Sequence, residues 1–114
     1  MPLIKIETNQ SLDDSAIQSL LKKTSEFAAE MLKKPEEYIM VNLSLDNAMM
    51  FAGTTGPLAY VTVKSIGLPK ERCADYSSAI CGFLEKELSI PADRVYVDFA
   101  DIQGKMFGWN RKTF

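Results

Sequence analysis

The chain of 114 residues contains no histidine. That absence removes serine–histidine–aspartate and cysteine–histidine catalysis together. Cysteine is scarce, with only Cys73 and Cys81 present. Two thiols without histidine cannot complete a four-ligand zinc shell, so no metal site is expected. Both fall in one helical segment, where an intrachain disulfide is geometrically awkward; they read as buried thiols in a reducing compartment. No apolar run approaches the ~20 residues that a bilayer span needs. No charged stretch, apolar stretch and cleavage site precede the first strand, so no secretory signal is expected. The expected location is the cytoplasm, with release by a non-classical route left open. A formal charge of −2 and the lack of a basic stripe argue against nucleic acid as a partner. Acid–base chemistry near neutrality is left to carboxylates, lysines, tyrosines or the chain's own amino terminus.

What is present is a repeated pattern. LIKIE, residues 3–7, alternates as a half-buried strand does. Ser11 with Asp14 three residues on suggests a capping box. Ile17, Leu20, Leu21, Thr24, Phe27, Ala28 and Met31 then follow at helical spacing, and Pro35 ends that helix. YIMVNLSL, residues 38–45, alternates again. The order returns with a strand over residues 57–66 and Pro69 in the first turn of a second helix. Cys73, Tyr76, Ile80, Phe83 and Leu84 form its stripe, Pro91 stops it, and a last long strand covers residues 94–100. PLIKI at Pro2 matches PLAYV at Pro57, and PEEYIMVNL at Pro35 matches PADRVYVDF at Pro91, at offsets of 55 and 56 residues. The pattern predicts a single α+β domain over residues 1–114. It is a two-layer sandwich built from a duplicated β-α-β unit, with repeats at about 2–45 and 57–100 and a C-terminal segment at 101–114. Within each unit the strands are parallel, and both helices lie on one face of a four-stranded sheet.

Strand parity assigns the faces. Ile39, Val41, Leu43 and Leu45, with Ala59, Val61, Val63, Val95, Val97 and Phe99, are expected to meet the helices. The other face carries Met40, Asn42, Ser44, Tyr60, Thr62, Lys64, Tyr96 and Asp98. It is too mixed for a second dry core and too aromatic for plain solvent, and a subunit interface or a wet channel between subunits fits it best.

Few residues offer chemistry. Pro2 becomes a secondary amine once Met1 is removed, and removal is expected before so small a residue. In an apolar pocket such an amine has a lowered pKa and can move a proton next to a carbonyl. The bland alternative is that Pro2 only opens a strand. Lys34, just before Pro35, either complements the helix dipole or supplies a cation for a substrate carboxylate. Tyr96 and Asp98 read as interface packing and surface charge, or as parts of a site. GTTGP, residues 53–57, reads as a turn.

Taken in order, MP, KPEEYIMV (34–41), SIG (65–67), CGFLE (81–85), PADRVYVDF (91–99) and GWNRKTF (108–114) resemble the macrophage migration inhibitory factor family of the tautomerase superfamily. The resemblance implies a homotrimer with its sheets around a channel and its active sites at subunit boundaries. It implies Pro2 as the catalytic base and Lys34 as the holder of a substrate carboxylate, with the Ile66 backbone also in contact. Tyr96 would come from the neighbouring subunit, close to Asp98. Phe107, Trp109 and Phe114 would form apolar wall or rim. The implied activity is that of an isomerase for 2-oxo acids such as phenylpyruvate, or for dopachrome derivatives, with no cofactor. The chain also departs from the family. Asp98 stands where the animal cytokines carry asparagine, so it threatens to repel a carboxylate or raise the amine's pKa. Leu58 and Val61 replace a Cys-x-x-Cys pair, so thiol oxidoreductase activity is not expected. Phe107 replaces a smaller valine and narrows the mouth. Two other readings stay open: a cytokine-like, receptor-binding protein with a vestigial pocket, and a small ligand-binding regulatory module.

Overall fold

Two prolines and two left-handed residues set the frame of the chain. In the computed structural model, which describes residues 1–114, β1 (Leu3–Thr8) leads to α1 (Asp14–Leu32) and β2 (Met40–Ser44). Then β3 (Ala59–Ile66) leads to α2 (Cys73–Leu88) and β4 (Val95–Ile102). A short hairpin of β5 (Gly108–Trp109) and β6 (Lys112–Thr113) closes the chain. Each long helix ends on a residue with positive φ, Lys33 at 54° and Ser89 at 55°. Each is then followed by a proline and a single 3-10 turn, Glu36–Tyr38 or Ala92–Arg94. These matched exits are the duplicated unit made visible.

The sheet runs β2-β1-β3-β4. The outer pairs, β1 with β2 and β3 with β4, are parallel, and the central pair, β1 with β3, is antiparallel. The register lines up Val41, Ile4, Val63 and Phe99 in one row and Leu43, Ile6, Val61 and Val97 in the next. These rows meet Ala28, Leu32, Tyr76, Ile80 and Leu84 of the helices in one core. Phe27 of α1 stacks on Phe83 of α2 with ring centroids 4.4 Å apart. Burial of each large core side chain stabilises the fold by about 1.5–3 kcal/mol relative to exposure. No helix is long and apolar enough to cross a membrane.

Local details differ from the sequence expectations. Asp13, not Ser11, caps α1, because its carboxylate accepts the Ala16 N–H at 2.7 Å. Ser11 instead bonds the Asp46 carboxylate across the loops. Residues 38 and 39 are outside β2, since the turn after Pro35 takes Tyr38 out of the strand. Likewise α2 starts at Cys73, because Pro69 first caps a separate 3-10 turn, Lys70–Arg72. The turn expected in GTTGP lies earlier, over Phe51–Thr54, and takes in only the first two residues of that motif. Ala52 and Gly53 both have positive φ, and Phe51 and Thr54 exchange backbone hydrogen bonds of 2.9 and 3.0 Å.

Candidate active site

Pro2 begins the sheet and is fully buried. Its carbonyl accepts the Met40 N–H at 3.0 Å, so the first residues are fixed against β2 instead of fraying. Beside it opens a mostly apolar cleft of about 260 Å³, lined by Met1, Pro2, Tyr38, Phe107, Trp109 and Phe114 among others. The C-terminal hairpin builds the far wall. Asn110 and Arg111, at φ 53° and 66°, make its tight turn. The Phe114 N–H then bonds the Gly104 and Phe107 carbonyls at 3.1 and 3.2 Å. Gly104 fits closely there, since a Cβ on it would stand 3.1 Å from the Phe114 carbonyl oxygen and push the C-terminal residue outward by a few tenths of an ångström. Trp109 and Phe114 consequently stack at 5.6 Å, and Phe107 meets Phe114 at 6.1 Å.

Lys34 is placed by the end of α1. Lys33 takes the left-handed conformation, the Lys34 N–H returns to the Ala29 carbonyl at 3.1 Å, and Pro35 carries the chain away. The Lys34 Nζ then lies 3.4 Å from the Ile66 carbonyl oxygen, at the end of β3 just before Gly67 turns the chain at φ 68°. Lys34 is also close enough to act on the N-terminus. The Met1 ammonium has its pKa lowered from 8.0, first by burial and second by the Lys34 charge. Both causes disfavour the protonated amine.

Tyr96 and Asp98 stand apart from this cleft within one chain. Both are on the outer face of β4, with Tyr96 63% exposed. The Tyr96 ring rests 4.8 Å from Phe51. Arg94 fixes that loop: its guanidinium donates to the carbonyls of Phe51, Thr54, Gly56 and Pro57 at 2.9–3.2 Å. The Tyr60 hydroxyl donates to Asp98 Oδ2 at 2.5 Å, and this bond is the leading cause of a raised Tyr60 pKa.

Sequence reasoning missed Tyr38, which it treated as the first residue of a strand. Tyr38 meets Trp109 edge-on at 5.5 Å and Phe114 at 6.2 Å, making it the hub of the cleft's aromatic group. The signal was in the duplication: aligned at their prolines, the halves place Tyr38 opposite Arg94, which belongs to a turn. No group of three Cys, Asp or Glu side chains is arranged to hold a metal ion.

The whole chain, residues 1–114, matches the family described as macrophage migration inhibitory factor. It is 35% identical to the macrophage migration inhibitory factor homolog of Trichinella spiralis, covering all of both chains. It is 36% identical to the macrophage migration inhibitory factor of Xenopus tropicalis, covering all of this chain and 99% of that one. Among solved structures, the homologue from Prochlorococcus marinus superposes with a TM-score of 0.90 at 43% identity, over 98% of each chain. The Trichinella spiralis crystal structure gives 0.89 at 32% identity, over 98% of this chain and 99% of that one.

Proposed function

The chain belongs to the macrophage migration inhibitory factor family, in the tautomerase superfamily, and from that premise we propose that it is a cofactor-independent keto–enol tautomerase of aromatic 2-oxo acids such as phenylpyruvate. The family includes tautomerase-type and cytokine-like members. The cleft favours the first reading. The observation that carries it is the buried Pro2 beside an aromatic cleft, with Lys34 near enough to depress the amine of Met1 just before it.

In a chain that keeps Met1, the Pro2 nitrogen is an amide and cannot act as a base. Removal of Met1 gives a neutral secondary amine in the same surroundings. That amine takes a proton from the carbon next to the substrate carbonyl. The C–H electron pair becomes the C=C bond of the enol, and the carbonyl oxygen takes a proton from solvent water while the protonated amine returns its own to solvent. Ketonisation is the same path reversed, with the protonated amine delivering to carbon. Lys34 pairs with the substrate carboxylate, and the Ile66 backbone borders it. Phe107, Trp109 and Phe114, with Tyr38, enclose the ring and hold it in line with the amine.

The active unit in this account is a homotrimer with its sites at subunit boundaries. The outer sheet face supports it, since Met40 and Tyr96 are 66% and 63% exposed in one chain. Tyr96 and Asp98 then serve the cleft of the neighbouring subunit. Mixing tests both parts. Refolded together, Pro2→Gly and Tyr96→Ala chains, each inactive alone, should regain part of the phenylpyruvate turnover through sites that take Pro2 from one chain and Tyr96 from another. No recovery in a trimer confirmed by sedimentation would contradict the shared site.

A further inference from the structure

We propose that a second site, on the helix side of Lys34, binds a phosphate-type oxyanion and thereby regulates the Pro2 cleft. The site is a cavity of about 300 Å³ between the end of α1 and the turn that precedes α2. Lys33, Lys34 and Arg72 bring three cations to its wall, and no carboxylate lines it. Neither Lys33 nor Lys34 takes part in an ion pair. Two acids are nearby: one offsets part of the Arg72 charge, and the other is engaged elsewhere. Asp75 pairs with Arg72 at 3.2 Å on an exposed edge, and Asp101 accepts the Leu68 N–H at 3.0 Å.

Ser65 is the independent sign of a ligand. It also lines this cavity, is 1% exposed, and its hydroxyl is sealed from solvent with no hydrogen-bond partner, so it reaches a ligand only after a turn about χ1. Its parity in β3 puts it on the helix side with Val61 and Val63. Buried hydroxyls are rarely left unpaired, because the desolvated group is costly. An unpaired hydroxyl beside two lysines that lack counter-charges, with the Asp75-paired Arg72 on the rim, is a donor set for an oxyanion. The larger groove between the helices shares Lys33, Arg72 and Tyr76, but adds Glu30 and Asp75, which offset its cations.

Lys34 links the two sites. Its 3.4 Å contact with the Ile66 carbonyl is long, so the ammonium is weakly held there. An oxyanion in the cavity draws this charge away from a substrate carboxylate. This coupling rests on the tautomerase reading, whereas the binding does not.

The test titrates the full chain with inorganic phosphate at constant ionic strength, followed by amide NMR, with glycerol phosphate as the ester arm. Saturable shifts are expected at Lys33, Gly67, Leu68 and Arg72. Binding should weaken about tenfold or more in Lys33→Ala and in Arg72→Ala, as loss of a charge-assisted bond predicts, and less in Ser65→Ala. Tighter binding of the ester assigns the site to phosphomonoesters, and equal binding assigns it to the free anion. Phosphate should raise the KM for phenylpyruvate in the unaltered chain but not in Arg72→Ala, with kcat unchanged. No saturation, or an equal loss in the distant Lys86→Ala, overturns the site. Saturable binding with an unchanged KM overturns the coupling through Lys34. Absence of all turnover counts against the proposed function and leaves the binding result standing.

Discussion

The Lys34 ammonium and the Ile66 carbonyl oxygen lie 3.4 Å apart, across the gap between the end of α1 and the end of β3. Two repeats therefore meet at one cation. In the second repeat the matching position is Ile90, which is fully buried. The duplication gave both halves the same helix exit, and only one of them was left with a charge beside the N-terminus.

Lys34→Ala should raise the KM for phenylpyruvate roughly 10- to 100-fold, the range for a lost charge-assisted hydrogen bond, with a smaller change in kcat. Lys34→Arg should recover part of the loss. Steady-state kinetics checks both, and an unchanged KM would remove Lys34 from the substrate site.

The pH profile follows from the same charge. A base must be unprotonated to act, so kcat/KM should rise with pH through the amine's pKa. In the chain that keeps Met1, burial first and Lys34 second lower the Met1 ammonium, and a Pro2 amine one residue on, more deeply buried, is expected to feel both. The limb should therefore fall below the pH range of an ordinary terminal amine. Lys34→Ala removes the second cause and should move the limb upward. A downward move would contradict this electrostatic account.

Tyr60 should titrate above an ordinary tyrosine, because its neutral hydroxyl donates to Asp98 and ionisation loses that bond. Asp98→Asn should bring it back down, as read by phenolate absorbance. Under the proposed trimer, the same substitution takes a negative charge out of the neighbouring subunit's cleft, so the acid limb of kcat/KM should also fall in pH. A limb that stays put would place Asp98 too far from Pro2 to matter.

Arg94→Ala should lower stability by about 1–3 kcal/mol, since four loop carbonyls lose their donor. For a domain of this size that is a Tm drop of roughly 4 °C per kcal/mol. Thermal unfolding measures it. The Phe51 loop also supports Tyr96, so the KM for phenylpyruvate should rise as well.

The sheet and its helices were legible because alternation and helical spacing are local and were printed twice. Val61, Val63, Ile80 and Leu84 fall where that pattern put them. The ends of elements were less legible. Asp13 and Ser11 are both good caps, and only the approach of Asp46 decides which one is free for the helix. Tyr38 was hidden because its neighbours alternate like a strand, while the turn that removes it depends on where α1 stops. The cleft itself comes from the C-terminal hairpin folding back over Pro2, a long-range contact that no periodicity encodes. Pro2 and Lys34 were candidates from their own chemistry, with a strand start and a helix end as the alternatives, and family resemblance decided for them; Ile66, Phe107, Trp109 and Phe114 were named through the resemblance alone.

The most direct test combines intact mass with phenylpyruvate ketonisation on one purified sample. Loss of one methionine, together with turnover that disappears in Pro2→Gly, is the predicted result. A chain that has lost Met1 and still fails to turn over phenylpyruvate would contradict the tautomerase account.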